Sequence, residues 1–500
     1  MVLVAQYLQY PSLLWKTFTE VLQYRDAHTF LLATLLTYSL VLSAFVIWKK
    51  MRPHVYLIDY TCAKCPDDYK VNMEMMFFFL KSMGTFSDKD IMFQSRVFLK
   101  SGIGEEAYVP RVTLEKPRAV SLDDSREQVH LLVLNTVDTL LKKTGVSPKL
   151  IDILVINCTG FNPTPSITCM VVNFFKMRAD VKTFHLNGMG CSAGLISLGL
   201  ARDLLIANRN TARYALVASA EVMNTLYDGK ERPMMVTNCL FRCAGNAVLL
   251  SNRKEDKERA KMEVVHVVRV NTAWSDEAHG VVETCEDDDG VWGARLSPQL
   301  IKVAGETLAM NIKRLAPKVL PVGELCKAGW NLLQRRVLKK KGVVEYVPNF
   351  KLAFEHFCIH PGGRAVIENV GKGLHLQPYD VEPSAMALHR FGNTSCSGVW
   401  YVLAYMEAKA RLKQGERVWQ IGLGSGFKCN SVVLRVLRDL NSEYENPWHS
   451  CVHRYPVCEE LTRFPHIVSL FNIGDRILPG LKDGSKGAPL ATTTVGAQGH

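Results

Sequence analysis

Thr183-Phe-His-Leu-Asn-Gly-Met-Gly-Cys191-Ser-Ala-Gly-Leu-Ile-Ser-Leu-Gly-Leu-Ala-Arg202 is the most telling stretch of this 500-residue chain. Thr183 to Leu186 reads as a short strand, and Gly188 and Gly190 end it in a tight turn. Ser192 to Leu205 then runs apolar nearly all round, with its first charge at Arg202, as a helix buried on every side does. A thiol at a helix N-terminus feels the positive end of the dipole, which favours the thiolate. Backbone N–H groups at the same place can hold an oxyanion. The glycines leave space for a thioester to approach. Cys191 is therefore the candidate nucleophile, set against the plainer reading of a packed structural thiol.

Outward from this point the chain alternates strand and helix. Leu122 to Lys143 predicts a helix, opened by Asp123, Asp124 and Ser125 and closed at Gly145. Leu150 to Asn157, Tyr214 to Ser219, Ala247 to Leu250 and Val264 to Val270 predict strands. A second cycle starts with a helix from Ser297 to about Leu315. A strand from Leu352 to Ile359, a helix from Cys396 to Leu412, and strands at Val418 to Leu423 and Cys429 to Leu437 follow. This is the pattern of an α/β fold whose helices cover largely buried sheets. The cycles are similar in length, with no residue-level repeat. Between them, Val319 to Lys341 carries spaced apolar residues and ends in Arg335-Arg336 and Lys339-Lys340-Lys341. It is either a surface helix with a solvated end or an amphipathic segment touching an anionic bilayer.

Thr29 to Trp48 is uncharged over 20 residues, long enough as a helix to cross about 30 Å of hydrocarbon. Lys49, Lys50 and Arg52 follow it at once, which places the C-terminal bulk in the cytosol. The 14 cysteines are scattered through apolar runs, as in a reducing compartment. Met1 to Trp15 is uncharged but broken at Pro11, and is either interfacial or a poor second span. A net charge of +12 suits an anionic surface or phosphorylated ligands. Without a zinc-finger spacing or an aromatic stripe, it does not argue for nucleic acid. Hydrophobic residues at 48% and charged ones at 22% exclude a disordered or collagen-like chain. The residues from Gly474 onward, rich in small and polar types, predict disorder.

A thiolate needs partners, and the second cycle offers two histidine motifs. His356-Phe-Cys-Ile-His360-Pro-Gly-Gly-Arg364 puts His360 at the end of an apolar strand, where a helix begins. His389-Arg-Phe-Gly-Asn393-Thr-Ser395 is again a loop opening into a helix. The His356/His360 spacing lacks the HExxH order and lies on a strand, so no metal is expected. Cys62-Ala-Lys-Cys65 has no second pair to complete a zinc site. Gly422-Leu-Gly424-Ser-Gly426 follows neither dinucleotide nor Walker spacing.

At GMGCSAG, EHFCIHPGGRAVI, LHRFGNTS and GSGFKCNSVV the sequence closely resembles the plant 3-ketoacyl-CoA synthases, the membrane condensing enzymes of very-long-chain fatty acid elongation. Val55-Tyr-Leu-Ile-Asp-Tyr60, Phe161-Asn-Pro-Thr-Pro165 and Asn238-Cys-Leu-Phe-Arg242 extend the match, which runs in order from about residue 50 to 457. The resemblance implies a thiolase-like fold of two similar αβ halves behind an N-terminal transmembrane helix. It divides the chain into an anchor at 1–52 (span 29–48), a nucleophile half at 53–285, a His/Asn half at 286–457, and a tail at 458–500. It assigns Cys191, His360 and Asn393 as catalytic residues, His356 and His389 as supporting ones, and Gly426 as a backbone oxyanion donor. It further implies a homodimer at the endoplasmic reticulum, long-chain acyl-CoA and malonyl-CoA as substrates, and no cofactor beyond them. The elongase reductases and dehydratase are the implied partners.

Asparagine cannot act as a general base, so Cys/His/Asn suits an enzyme that makes its carbanion by decarboxylation. No sequence motif clearly adds a base of the kind that removes an α-proton. Asn187 and Pro361 stand where relatives usually carry Gly and Ala, and Asn271 where they often carry His. Two alternatives follow: a type III polyketide synthase-like enzyme, or a catalytically weak elongase subunit.

Overall fold

Five strands make the first half of the fold: β1 (Tyr56–Cys62), β2 (Ile151–Asn157), β3 (Lys182–Leu186), β4 (Tyr214–Glu221) and β5 (Ala244–Ser251). Every residue of β4 and β5 is buried, which is why they read as unbroken runs of small and apolar side chains. Four more strands make the second half, which by strand pairing begins ahead of the boundary expected at 285: β6 (Met262–Asn271), then β9 (His356–Ile359), β10 (Arg417–Gly424) and β11 (Lys428–Val436). The hairpin β7 (Val282–Glu286) and β8 (Trp292–Leu296) pairs by itself. The computed structural model describes residues 31, 34–43, 53–116, 120–223, 226–441 and 446–457.

All nine main strands join in one sheet, ordered β9-β10-β11-β6-β1-β5-β4-β2-β3. The two halves repeat one pairing pattern. β2 runs parallel to β4, which is antiparallel to β5, which is antiparallel to β1. Likewise β9 runs parallel to β10, which is antiparallel to β11, which is antiparallel to β6. Within the sheet the halves are joined where Tyr56 and Leu57 of β1 pair with Glu263 and Met262 of β6.

Helix α3 (Ala193–Ala207) packs on β2, β4 and β5 on one side and on β6, β10 and β11 on the other. β10 and β4 are five places apart in the sheet, about 24 Å if it were flat. A helix about 10–12 Å across reaches both only because the sheet curls around it. Helix α7 (Gly398–Ala408) does the same from the second half, touching β9, β10 and β1. Both helices begin after a single 3₁₀ turn, Gly190–Ser192 and Ser395–Ser397, so Gly-Cys-Ser and Ser-Cys-Ser occupy matching places. That echo is too short to register as a repeat in the sequence.

Around this centre lie α1 (Met73–Ser82), α2 (Asp88–Ser101), α4 (Arg232–Leu240), α5 (Leu300–Val319) and α6 (Val322–Arg336). The helix expected at 122–143 is present as Leu122–Val129 and Asn135–Thr144, joined by a π-helical turn at His130–Leu134. The strand expected from Leu352 is shorter. Phe350–Leu352 is a 3₁₀ turn because the Asn349 side chain accepts the Lys351 N–H at 3.1 Å. Among the described residues, the stretch long and apolar enough to cross a membrane is Gly190–Ala207, and it is the central helix. Of the expected span at 29–48, Leu31 and Thr34–Ser43 fall within the described residues, where they are helical and their leucines exposed. The expected interfacial segment at 1–15 and the tail from Gly474 lie outside them.

A buried ionic network closes the joint between the halves. Lys261, just before β6, binds Asp59 of β1 at 2.8 Å and Glu407 of α7 at 2.5 Å. Lys143 also reaches Asp59, and the Tyr60 hydroxyl donates to Glu407 at 2.7 Å. Removing one partner from such a cluster strands a buried charge. Lys261→Met is expected to cost about 3–5 kcal/mol, read as a lowered midpoint in thermal unfolding of the detergent-solubilised protein. An unchanged midpoint would show that the cluster contributes nothing to holding the halves together.

Candidate active site

Cys191 sits in the 3₁₀ turn that leads into α3. Gly188 and Gly190 bring the chain there through φ values of +62° and +58°. Gly190 has a second reason to lack a side chain: a Cβ would lie 2.6 Å from Ser425 Oγ of the second half. Gly424 faces the same constraint, since its Cβ would meet Ser192 N at 2.5 Å. The nucleophile loop and the β10–β11 turn are thus pressed backbone to backbone across the joint.

His360 follows β9, and its backbone N–H donates to Ile421 of β10 at 2.9 Å. Its ring is buried, and both ring nitrogens lack hydrogen-bond partners. Burial lowers its pKa to about 4, so the imidazole is neutral, with one N–H to donate and one lone pair to accept. Asn393 is held on three sides. Its Nδ2 donates to the Gly362 carbonyl at 3.1 Å and its Oδ1 accepts the Ser395 N–H at 2.9 Å. Its own N–H donates to Leu240, and its carbonyl accepts from Arg242. The amide orientation is fixed, and the second Nδ2 hydrogen is within reach of the Cys191 sulfur.

These three side chains line one cavity of about 530 Å³ together with Gly426, Ser395 and Glu221. The rest of its wall is largely apolar, including Met223, Leu226, Val282, Trp292, Leu296, Leu300 and Ala304. Of the expected site residues, Cys191, His360, Asn393 and Gly426 are brought together here. His356 and His389 are not part of the lining. His356 pairs with Glu416 at 2.8 Å, and His389 stacks edge-on against Tyr455 with Gly104 against its ring. Asn271 also lies outside the cavity, exposed, with its side chain accepting the Ala273 N–H. Pro361 is buried against Gly398. Among the described residues no cluster of His, Cys, Asp and Glu is placed to hold a metal ion.

Two findings depart from the sequence reading. The first concerns the thiol. Burial raises the Cys191 pKa to about 11, hydrogen bonds from Ser395 and Asn393 pull it back in part, and Glu221 raises it further. Burial is the largest of these effects, and the free thiol stays protonated. The second is Glu221 itself, which ends the otherwise apolar β4 and was not expected in the site. Its Oε1 accepts the Gly160 N–H at 3.0 Å, while Oε2 has no partner. The Ser395 hydroxyl lies within hydrogen-bonding reach of both Glu221 and Cys191. Burial raises the Glu221 pKa to about 7, so the residue the sequence hid is an acid that titrates near neutrality beside the nucleophile.

Residues 46–337 match the model of the FAE1/type III polyketide synthase-like proteins, and residues 333–438 that of the C-terminal domain of chalcone and stilbene synthases. The Arabidopsis thaliana protein 3-ketoacyl-CoA synthase 4 is 44% identical over 437 residues, 87% of this chain and 83% of that one. From the same plant, 3-ketoacyl-CoA synthase 16 is 46% identical over 410 residues, 81% of this chain and 83% of its own. Among solved structures, CsyB complexed with CoA-SH superposes with a TM-score of 0.60 at 17% identity, covering 76% of this chain and 100% of CsyB. The C-terminal type III polyketide synthase domain of Steely1 gives 0.59 at 18%, covering 77% and 99%. The fold is accordingly the thiolase-like α/β fold that the motifs led us to expect. The chain belongs to the FAE1/type III polyketide synthase-like family.

Glu221 yields a prediction whose sign follows from its raised pKa. Between its ordinary value of 4.5 and about 7, the folded protein holds a proton there that the unfolded chain has lost. Stability therefore falls as pH rises through that window and levels off above it. Glu221→Gln removes the loss. Its melting temperature should match the wild type at pH 4.5 and exceed it at pH 8, by the equivalent of about 3 kcal/mol. A gain that did not change with pH would show that Glu221 is ionised throughout.

Proposed function

We propose that this protein is a very-long-chain 3-oxoacyl-CoA synthase, an acyltransferase that condenses malonyl-CoA with a long-chain acyl-CoA. The observation that carries the reading is the convergence of Cys191, His360 and Asn393, from separate halves of the chain, on one apolar-walled cavity. The identity to 3-ketoacyl-CoA synthases over most of the chain supports it. The family resemblance supplies the same substrates and requires no cofactor or metal.

In this reading Cys191 attacks the acyl-CoA thioester. Its proton leaves with CoA, and the acyl group stays as a Cys191 thioester. Backbone N–H groups at Cys191 and Gly426 take the oxyanion of that step. Malonyl-CoA then enters. The neutral imidazole of His360 and the second Nδ2 hydrogen of Asn393 donate to its thioester oxygen, stabilising the enolate left when the C–C bond to CO₂ breaks. The enolate carbon attacks the Cys191 thioester and expels the thiolate, which takes a proton from water to restore the thiol, giving 3-oxoacyl-CoA. Glu221 bears on the alternative in which a base removes an α-proton from an acetyl thioester. Its charge acts on Cys191 and Cys396, which favours placing the acid on the nucleophile's side.

The protein is attached to the endoplasmic reticulum membrane through the span at 29–48, with the catalytic body in the cytosol. It works as a homodimer alongside the elongase reductases and dehydratase. His356 and His389 support the site indirectly, by fixing the end of β9 and the helix before Asn393. The apolar exposed helix Thr34–Ser43 and the positive residues after the span support the attachment.

Microsomes carrying the protein are expected to incorporate labelled malonyl-CoA into products two carbons longer than the acyl-CoA primer. Incorporation should fall to background in Cys191→Ala and by at least roughly 100-fold in Asn393→Ala. Extension with acetyl-CoA in place of malonyl-CoA would sink the decarboxylative mechanism. No extension with any primer, in folded protein, would favour the elongase-subunit reading.

The same assay tests the cavity wall. Ala304 is nearly buried on it, and Ala304→Phe fills part of the space. The longest accepted primer should become shorter while short primers keep their rate. A uniform loss across all lengths would place Ala304 away from the acyl chain.

A further inference from the structure

Helix α6 is amphipathic with its polar side turned inward. At 3.6 residues per turn, Glu324, Asn331 and Arg335 fall within about 40° of one another around the helix. Each is tied to the segment that follows. Glu324 accepts the Tyr346 hydroxyl at 2.7 Å and the Asn349 N–H at 3.0 Å. Asn331 donates to the Val344 carbonyl at 2.9 Å and accepts the Tyr346 N–H at 3.1 Å. Arg335 pairs with Glu345 at 3.1 Å. The one buried residue of the helix is thus a carboxylate, Glu324.

The opposite side carries Val322, Cys326, Trp330 and Leu333, spaced i, i+4, i+8 and i+11, and Val337 continues the row. Val322 is 74% exposed, Trp330 58% and Val337 67%. A surface helix normally buries its apolar row and shows its polar one. Here Leu325 packs on the core, but the row from Val322 to Val337 stays exposed and runs directly into Arg336, Lys339, Lys340 and Lys341, all exposed.

We propose that α6 lies in the interface of an anionic bilayer, with the Val322–Val337 row among the acyl chains and Lys339 to Lys341 at the headgroups. This makes a second bilayer contact on the catalytic body and rests on the reading of the protein as membrane-attached. The charges select a bilayer over a second copy of the chain. A two-fold contact through this row would set Lys339 to Lys341 beside their own counterparts if the helices ran parallel. If antiparallel, it would set them against the Val322 end, where the acid Glu324 is buried and already bound to Tyr346 and Lys327. The nearby acid, Glu345, is already held by Arg335.

The test uses the full chain reconstituted in phosphatidylcholine vesicles with and without phosphatidylserine, carrying a phospholipid with a diazirine in its acyl chain. After irradiation, adducts are mapped on tryptic peptides. Label is expected on Ala328–Arg335, increased by phosphatidylserine. It should fall about tenfold in the triple variant K339E/K340E/K341E, whose substitutions are all at exposed positions. Label on the peptides of the 29–48 segment with none on Ala328–Arg335 would overturn this proposal and leave the N-terminal attachment standing. Absence of label from both would overturn the membrane reading itself. Lysine cross-links joining Lys339 to Lys341 of two copies, without lipid label, would assign the face to self-association and also overturn the proposal.

Discussion

The geometry of the site depends on one close approach, between the N-terminus of α3 and that of α7. A Cβ on Gly194 would stand 2.2 Å from the carbonyl oxygen of Cys396, closer than two non-bonded atoms can sit. Backbone therefore meets backbone at the centre of the fold, and the two 3₁₀ turns that precede the helices are drawn together. Cys191 comes from one turn, and Ser395 with its neighbour Asn393 from the other. The curled sheet, the glycines at 190 and 424 and the buried Lys261 network all serve to keep these two helix ends in contact.

Burial then decides the charge state of everything near the nucleophile. Cys191 is held as a thiol, His360 as a neutral imidazole, and Glu221 is balanced at neutrality. A site with so little fixed charge costs little to fill with an apolar acyl chain. It also disfavours a free carboxylate, and breaking a carboxylate down to CO₂ relieves that cost. Its hydrogen-bond donors are set in advance by Gly362 and the Ser395 backbone, so no reorganisation is needed when negative charge appears on a substrate oxygen.

How much of this was legible in the sequence follows from the range of each interaction. The cysteine turn and its buried helix could be read directly, because glycines, thiol and apolar run are consecutive. Most strands of both cycles could be read because burial leaves them largely apolar, whereas β1, which carries Asp59 and Thr61, was not read as one. His360 and Asn393 could be picked out only as motifs, since nothing local says that both face Cys191. Glu221 was invisible: one acid closing an apolar strand looks like the strand's emergence into solvent. The state of the thiol was misjudged because the helix end is a local feature, whereas desolvation comes from parts of the chain far apart in sequence. The β7–β8 hairpin was missed since Val282-Glu-Thr-Cys-Glu286 alternates charge with small residues and lacks a clear apolar face. In α6 the periodicity was plain, but which side faced inward depended on Tyr346 and Asn349 reaching back to Glu324.

Helix α3 has a consequence for how the chain comes to be made. Its 18-residue stretch Gly190–Ala207 satisfies the same length and apolarity that a bilayer requires, yet it must end up wrapped in strands. To an insertion machinery scanning a nascent polypeptide, this segment and a true span differ chiefly at Arg202 and Asp203. In the folded molecule that adjacent pair is a minor ion contact at 2.9 Å. During synthesis each charge adds up to about 3 kcal/mol to the cost of entering lipid. Two side chains that make only a local contact in the finished fold thus set this segment's cost of entering lipid.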